Sequence, residues 1–167
     1  MSNFRPMRRK RQMLSEEECL KILKSTTAGV LSVLGDEDYP YGVPMSHAYH
    51  DGKLYFHSAQ EGHKVDAVRN CDKVTFTVIA QDDVMLKKYT TVYRSVICFG
   101  RIRLIEDNVE KMMAIRKLCE RFDSGDEKDA AHKIAKGFDH MVMMEFTIEH
   151  ISGKASMELM SAGKKLG

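Results

Sequence analysis

The sequence predicts an α+β domain: a small β-barrel of about six mainly antiparallel strands, flanked by three or four helices. Three observations lead to this fold class. Several segments alternate apolar and polar residues with the period of a β-strand, short turn-like connections join them, and other segments carry apolar stripes at helical spacing. The length of 167 residues, with 43% hydrophobic and 30% charged residues, is that of one ordinary globular domain.

The first helix is predicted from its start signal. Ser15-Glu16-Glu17-Glu18 fits a capping box, in which Ser15 is the N-cap and Glu18 occupies the third helical position. Apolar residues at helical spacing continue to about Ser25. The next segment, Ala28–Leu34, is almost entirely apolar, which predicts a buried strand.

Three more strands and a second helix follow along the chain. Asp51-Gly52 is a strong hairpin signal, so the strands on either side of it should pair in antiparallel fashion. The predicted elements are a strand from about Tyr41 to Tyr49, a strand over Lys53–Ser58, a short helix over Glu61–Asn70 and a strand over Lys73–Ala80.

The remainder of the chain predicts two long strands with a helix between them. The first strand, from Val92 to Glu106, becomes alternating after Gly100, as is typical of a strand that bends at a barrel corner. Asn108 is the expected cap of a helix that runs to about Phe122, with an apolar stripe of Met112, Ile115, Cys119 and Phe122. The last strand spans Met141 to Ile151, and residues 81–91 fit no element.

The charge is distributed unevenly. Residues 1–12 carry five cations and no acid, and without them the 26 basic residues fall to 21 against 24 acidic ones. This mildly acidic body argues against a dedicated nucleic-acid-binding domain. The basic arm is therefore expected to pack on its own domain or on a partner subunit.

Several classes of protein and site are not expected. The chain has no apolar run long enough to cross a membrane and no secretory signal, so a cytoplasmic protein is predicted. The four cysteines are too scattered for a zinc or dithiol motif and should be reduced. His47 and His50 are three apart on a predicted strand and therefore face opposite sides, so no metal site is predicted.

The segment after the third strand predicts an anion site. Ser58 ends the strand, and Gly62-His63-Lys64 opens a helix, whose start offers free backbone N–H groups and a positive dipole end. Gly62 permits close approach, while the three side chains supply donors or charge. The alternative is a helix start that faces solvent and carries an incidental lysine.

The order of these motifs resembles the pyridoxamine 5′-phosphate oxidase-like FMN-binding split barrels, and most of all their branch of Nim-type 5-nitroimidazole reductases. The resemblance covers roughly residues 7–157. It rests on the segments Met7-Arg8-Arg9-Lys10, Tyr41-Gly42-Val43-Pro44-Met45-Ser46, Asp51 to Ser58, Gly62-His63-Lys64, Tyr93-Arg94-Ser95-Val96, Phe99-Gly100-Arg101-Ile102, Asp107 to Lys111 and Gly153-Lys154-Ala155-Ser156.

The resemblance implies a Greek-key split barrel over residues 15–157, with a basic arm over 1–14 and a C-terminal tail over 158–167. It implies FMN as the cofactor and ten residues that bind it. The flavin ring and ribityl chain would lie along the second strand, the phosphate would lie at the helix start, and Ser95 would face the flavin edge. The ten residues are Val43, Pro44, Met45, Ser46, His57, Ser58, Gly62, His63, Lys64 and Ser95.

Two positions depart from the family pattern. His63 stands where an arginine is commoner, so phosphate binding is expected to be weaker or dependent on pH. Tyr41 stands where the pyridoxamine phosphate oxidases proper have an arginine, which counts against that activity. His47 is a candidate to face the flavin or the substrate, and the alternative is a histidine satisfied inside the barrel.

The function that the resemblance implies is an FMN-dependent oxidoreductase that reduces a small organic acceptor. A nicotinamide cofactor or another donor would supply the electrons, and a homodimer would bind FMN at its interface. The sequence shows no acid–base pair, nucleophile or dinucleotide motif, which agrees with a cofactor that carries the chemistry. The alternative is a non-enzymatic flavin or haem binding or sensor protein on the same barrel.

Overall fold

The computed structural model describes residues 4–86, 89–120, 134 and 136–163. Within this part of the chain, seven strands form one sheet in which all neighbouring strands are antiparallel. The strands are β1 Ala28–Leu34, β2 Pro40–Ser46, β3 Ala48–His50, β4 Lys53–Ala59, β5 Lys73–Met85, β6 Thr90–Ile105 and β7 Met141–Ala155. The helices are α1 Glu16–Ser25, α2 His63–Asn70, α3 Asn108–Cys119 and α4 Met157–Gly163.

The sheet is rolled into an incompletely closed barrel. Its strand order is β2-β1-β5-β6-β7-β4-β3, so β2 and β3 are the two edges. Along the chain, however, only His47 separates the end of β2 from the start of β3. Because one residue spans less than about 4 Å, the two edges must meet at His47. The predicted α+β split barrel is therefore confirmed.

The strand count is seven rather than about six, because the strand predicted over Tyr41–Tyr49 is interrupted. The backbone N–H of His47 donates to the carbonyl of Thr27 at 3.3 Å, which continues the pairing of β2 with β1 by one residue, and the pairing ends there. The chain then continues as β3, which pairs with β4 across the predicted Asp51-Gly52 turn. The hydrophobic pattern did not reveal this break because both halves alternate in the same way.

Two apolar clusters hold the elements together. The larger one fills the barrel and includes the fully buried side chains of Leu23, Leu31, Leu54, Phe56, Val65, Phe76, Val78, Val96, Phe146 and others. Here α1 packs against β3, β6 and β7, while α2 packs against β1 and β6. The second cluster lies beneath α3 and includes Ala48, Tyr55, Ile105, Ala114, Ile115, Leu118 and Met143.

The signals at helix and strand ends were mostly informative. The capping box at Ser15 is present, with both reciprocal hydrogen bonds to Glu18. The register of β6 against β7 shifts between Phe99 and Gly100, where a Cβ on the glycine would lie 2.0 Å from the carbonyl oxygen of Thr147. The irregularity predicted at Gly100 is therefore confirmed, and it exists because the backbones approach too closely there for any side chain.

The predicted start of α3 was wrong by one residue. Asp107, not Asn108, is the N-cap, and its carboxylate accepts from the backbone N–H of Glu110 at 2.8 Å. Of the predicted stripe, Ile115 is buried, Met112 and Cys119 are half-buried, and Phe122 lies outside the described residues. Lys111, Ala114 and Leu118 complete the buried face.

The strand β5 is longer than predicted. Residues 81–85, which the sequence left unassigned, pair with residues 90–94 of β6 and extend the hairpin into a two-stranded arm. A register shift between Ile79 and Gln81 marks the point where the arm leaves the barrel. Both faces of the arm are largely exposed, so backbone pairing, rather than burial, defines it.

The N-terminal arm packs on its own domain. Its Phe4 ring stacks on His150, with centroids 4.6 Å apart and planes 8° from parallel, and Leu14 N donates to the carbonyl of Gly153 at 3.0 Å. At the other terminus, the segment predicted as a tail includes α4. Among the described residues, none of the helices has the length and apolar character needed to span a membrane.

Candidate flavin-phosphate site

Ser58 lies at the end of β4 in an unusual state for a hydroxyl group. Its side chain is 6% exposed, and its Oγ atom is buried without a hydrogen-bond partner among the described residues. The strand itself is held by pairing with β7, where Ser58 lies opposite Val142. A buried hydroxyl without a partner costs about 1–3 kcal/mol, so this atom is suited to a group that arrives from outside the chain.

The helix α2 starts five residues after Ser58, and its N-terminal end is open. Gly62 is the N-cap, with φ 124° and ψ 163°, a conformation that is essentially restricted to glycine. No side chain caps the helix within the described chain, and a Cβ on Gly62 would meet no atom within 4 Å. Since the first backbone N–H groups of a helix lack partners inside it, this end presents donors and a positive dipole to open space.

The helix begins two residues later than predicted, at His63 rather than Glu61. The carbonyl of Gly62 accepts from the N–H groups of Val65 at 2.8 Å and Asp66 at 3.1 Å, which closes the first turn. Lys64 lies in this turn, is half-buried and forms no ion pair within the described part of the chain. The short stretch of chain where β4 leads into α2 thus carries Ser58, Gly62 and Lys64.

His63 points toward the turn between β1 and β2. Its Nε2 atom accepts a hydrogen bond from the backbone N–H of Asp36 at 3.1 Å and lies 3.6 Å from a carboxylate oxygen of that residue. Its ring stacks on Tyr41, with centroids 4.2 Å apart and planes 10° from parallel. This contact joins the start of α2 to the start of β2, which places the two halves of the predicted site next to each other.

The second strand supplies the other half. Among the described strands, β2 is an edge strand that pairs with β1 alone, so one side of its backbone is unpaired in this sheet. Pro44 and Ser46 are exposed, Val43 is half-buried, and Met45 is buried in the barrel core. A proline is tolerated here because an edge strand does not need every N–H for pairing. Met45 can therefore contribute only backbone groups to a ligand.

The remaining predicted residues are more distant from this segment. His57 is exposed on β4, and because neighbouring strand residues face opposite sides, it does not share a surface with the buried Ser58. Ser95 lies in β6 opposite Ile79 and Lys154. The strands β1 and β5 separate it from β2 along the sheet.

His47 lies in the barrel core. Its side chain is fully buried, its Nε2 atom is 3.0 Å from the carbonyl oxygen of Leu23, and its ring meets Phe76 edge-on at 4.9 Å. This geometry favours the structural alternative over a role at a ligand, because no part of the ring reaches the surface.

The described residues contain no cluster of His, Cys, Asp or Glu that could hold a metal ion. All four cysteines are free, and burial raises the pKa of Cys19 to about 11 and that of Cys98 to about 12. These two thiols therefore stay protonated at neutral pH and are poor nucleophiles.

Two groups of interest were missed by the sequence analysis. Asp36 was assigned only to a turn, and its contact with His63 joins positions 27 residues apart, for which a sequence pattern carries no signal. The sequence places Arg8 and Arg9 in the basic arm and Lys154 in a segment that resembles the family, and nothing in it shows that these cations line one cavity with Tyr93.

Several solved structures share this architecture. A conserved hypothetical protein from Mycobacterium tuberculosis matches with a TM-score of 0.78 and 17% identity over 92% of both chains. A candidate 5-nitroimidazole antibiotic resistance protein from Bacteroides thetaiotaomicron matches with a TM-score of 0.72 and 22% identity over 85% of both chains. A FAD-binding protein from Mesorhizobium loti matches with a TM-score of 0.60 and 24% identity, over 87% of this chain and 97% of that one.

None of the curated proteins matches this sequence significantly. The sequence of residues 15–155, in contrast, matches the family described as pyridoxamine 5′-phosphate oxidase, and this range contains the whole barrel with α1, α2 and α3. The chain therefore belongs to the pyridoxamine 5′-phosphate oxidase family.

Proposed function

We propose that this chain is an FMN-binding flavoprotein that passes electrons to a small organic acceptor. The observation that carries the proposal is the buried, unpartnered Oγ atom of Ser58 beside the open start of α2 and Lys64. A hydroxyl donor, free backbone N–H groups and one cation are the donor set that a phosphate group requires. Family membership supports a flavin nucleotide as the ligand that carries this phosphate group.

The chain would hold the cofactor in two places. Ser58, the backbone at Gly62 and Lys64 bind the phosphate. The unpaired side of β2, from Val43 to Ser46, runs beside the ribityl chain and the flavin ring and offers backbone groups together with the exposed Pro44. When bound, FMN supplies the electron-transfer chemistry, while the protein supplies binding, orientation and exclusion of water.

We also propose that two copies of the chain form a homodimer. Large apolar side chains are exposed on the arm and at its two ends: Val84 in the arm is 66% exposed, Ile79 at its base 67% and Leu86 just after β5 81%. Such side chains on a two-stranded arm are suited to burial against a second copy. Ser95 lies opposite Ile79, at the base of this arm. In a dimer it would reach the flavin edge of the other copy, and His57 is available at the surface of β4.

The acceptor class rests on the comparisons. One structural neighbour is a candidate 5-nitroimidazole antibiotic resistance protein, and another is a FAD-binding protein. They support a flavin that reduces a small heterocyclic acceptor such as a nitroimidazole, with a nicotinamide nucleotide as the donor. The cytoplasm is the compartment that we propose, since four free thiols persist most readily in a reducing environment.

The test begins with the absorbance spectrum of the purified protein and mass spectrometry of the released ligand. We expect flavin bands and FMN, followed by bleaching of those bands with a nicotinamide donor and their return on addition of a nitroimidazole. Bound FMN that no donor reduces would favour the non-enzymatic alternative, and a Soret band would favour haem. A protein that neither retains nor rebinds FMN would contradict the proposal.

A further inference from the structure

A short 3-10 helix, Phe138–His140, lies beside the point where β4 leads into α2. It continues directly into β7, whose first residue, Met141, pairs with Ala59 at the end of β4. One residue further along, the side-chain Nε2 atom of Gln60 donates to the carbonyl oxygen of Asp139 at 2.6 Å. A side-chain contact thus extends the attachment of β4 to β7 beyond the last pair of the ladder.

Gln60 belongs to the stretch that carries the proposed phosphate donors, residues 58–64, which we name the phosphate segment. It lies two residues after Ser58 and two residues before Gly62. The pairing of β4 with β7 ends at Ala59, so the hydrogen bond of Gln60 attaches the segment to its neighbour beyond the sheet. Because the spacing of the phosphate donors depends on the path of this segment, the position of Asp139 affects the site.

Lys111 of α3 holds the same short 3-10 helix. Its Nζ atom donates to the carbonyl oxygen of Phe138 at 2.6 Å and lies 4.3 Å from the centroid of the Phe138 ring. The side chain is buried, and no carboxylate of the described residues forms an ion pair with it. A buried ammonium group is costly unless it donates hydrogen bonds, so Lys111 and the Phe138 carbonyl are strongly bound to each other.

These contacts form a continuous path from α3 to the phosphate segment. Lys111 binds Phe138, the next residue is Asp139, and Asp139 accepts from Gln60. The starting point of the path is fixed, because α3 packs against β3, β4, β6 and β7. A change at Lys111 is therefore expected to reach the phosphate donors, although Lys111 lies on another element.

Lys117 of the same helix provides a natural comparison. Its Nζ atom donates to the hydroxyl oxygen of Tyr55 at 3.0 Å and lies 4.6 Å from the centroid of that ring. The two lysines thus make the same kinds of contact with different partners. Tyr55 lies in the middle of β4, where pairing with Glu145 of β7 holds the strand, whereas Phe138 precedes β7.

We propose that Lys111 and Gln60 are positioning residues for the phosphate group of the flavin nucleotide. They act through Phe138 and Asp139, which set the path of the phosphate segment and hence the placement of its donors. This inference rests on the proposed FMN function, which supplies the phosphate group.

The dissociation constants of FMN and riboflavin, measured by quenching of flavin fluorescence, test the proposal. Lys111→Met should weaken FMN binding roughly fivefold, the effect of about one hydrogen bond, and should leave riboflavin binding unchanged. Lys111→Arg retains a cationic donor and should restore most of the loss. Lys117→Met is the matched control and should leave the ratio of the two constants unchanged.

Gln60→Ala tests the other end of the path. Gln60 is exposed, so this variant keeps the apolar core intact. It should weaken FMN binding roughly as much as Lys111→Met does. The double variant should lose little more than either single variant, because both residues act through the same short helix.

Hydrogen exchange of the ligand-free protein tests the path without any flavin. Residues 58–64 should exchange faster in Lys111→Met than in the wild-type protein or in Lys117→Met. If the wild-type protein binds no FMN, the proposed function fails, and the exchange experiment still decides whether Lys111 positions the segment. Unchanged exchange over these residues, an equal loss of riboflavin affinity, or the same FMN-specific loss in Lys117→Met would each overturn the proposal.

Discussion

The imidazole of His63 accepts a hydrogen bond from the backbone N–H of Asp36, with a distance of 3.1 Å between Nε2 and N. This hydrogen bond attaches the ring to the turn after β1. The stacking contact with Tyr41 fixes the same orientation. His63 thus connects the start of α2 to β2 instead of pointing away from both.

This geometry predicts the effect of His63→Ala on ligand selectivity. We expect a loss of about 1 kcal/mol in the free energy of unfolding, the usual net value of one hydrogen bond. The affinities for FMN and for riboflavin should fall by the same factor, because the ring bonds the turn after β1 and stacks on Tyr41. Quenching of flavin fluorescence gives both Kd values. A loss confined to FMN would show instead that His63 turns to the phosphate.

Lys64→Ala, in contrast, should weaken the binding of FMN and not that of riboflavin. We expect FMN affinity to fall by about 1–3 kcal/mol, the range for losing a charge-assisted hydrogen bond, while riboflavin affinity stays unchanged. Arg69→Ala is the matched control, because Arg69 is a cation of the same helix that already pairs with Asp66 at 3.2 Å. The same titrations apply, and an unchanged FMN affinity in Lys64→Ala would remove Lys64 from the site.

Ser58→Ala should keep or raise the stability of the ligand-free protein and should weaken the binding of FMN. Without ligand, the Oγ atom has no partner in the described chain, so its removal should keep or raise the free energy of unfolding by up to about 1 kcal/mol. FMN binding should weaken by about 1 kcal/mol, because one donor to the phosphate is lost. Urea unfolding with and without FMN measures both effects. Destabilisation of the ligand-free variant would mean that Oγ has an internal partner.

Glu145 should make stability depend on acid pH. Burial raises the pKa of this carboxyl, but hydrogen bonds from Lys53, Arg103 and Tyr55 outweigh burial and hold the pKa below its ordinary value of 4.5. A depressed pKa in the folded state stabilises the protein above about pH 4.5, and this contribution is lost as the pH falls through the folded-state value.

Glu145→Gln should therefore destabilise the protein at neutral pH, by about 1–3 kcal/mol, and much less in acid. The difference between the unfolding free energies of the two proteins should shrink as the pH falls below 4.5. Glu149→Gln is a suitable control, because Glu149 is a half-exposed carboxylate of the same strand that pairs with the exposed Arg101. A difference that is constant with pH would contradict the assignment.

The sequence by itself was sufficient for the local elements. The capping box at Ser15, the strand Ala28–Leu34 and the Asp51-Gly52 turn each depend on a few neighbouring residues, and all three are present as predicted. The irregularity at Gly100 was also visible, because a glycine inside a strand points to a close backbone approach. The resemblance to split barrels added the class of site and the segment that forms its phosphate half.

Other features depended on contacts between residues distant in the sequence. The break at His47, the extension of β5 into residues 81–85 and the contact of His63 with Asp36 are decided by hydrogen bonds that local periodicity does not encode. Local periodicity also does not show that the Oγ atom of Ser58 is buried without a hydrogen-bond partner in the described chain, because this depends on all the residues packed around it.

The sequence therefore determined the class of fold, most of its elements and the segment that offers phosphate donors, since each follows from short-range backbone preferences and apolar patterning. Only the tertiary structure decided which donors are free, that His63 is committed to a turn, and that Arg8 and Lys154 face one cavity. Closing the sheet brings together groups up to 147 positions apart, and the packing of those groups determines which of them remain available to a ligand.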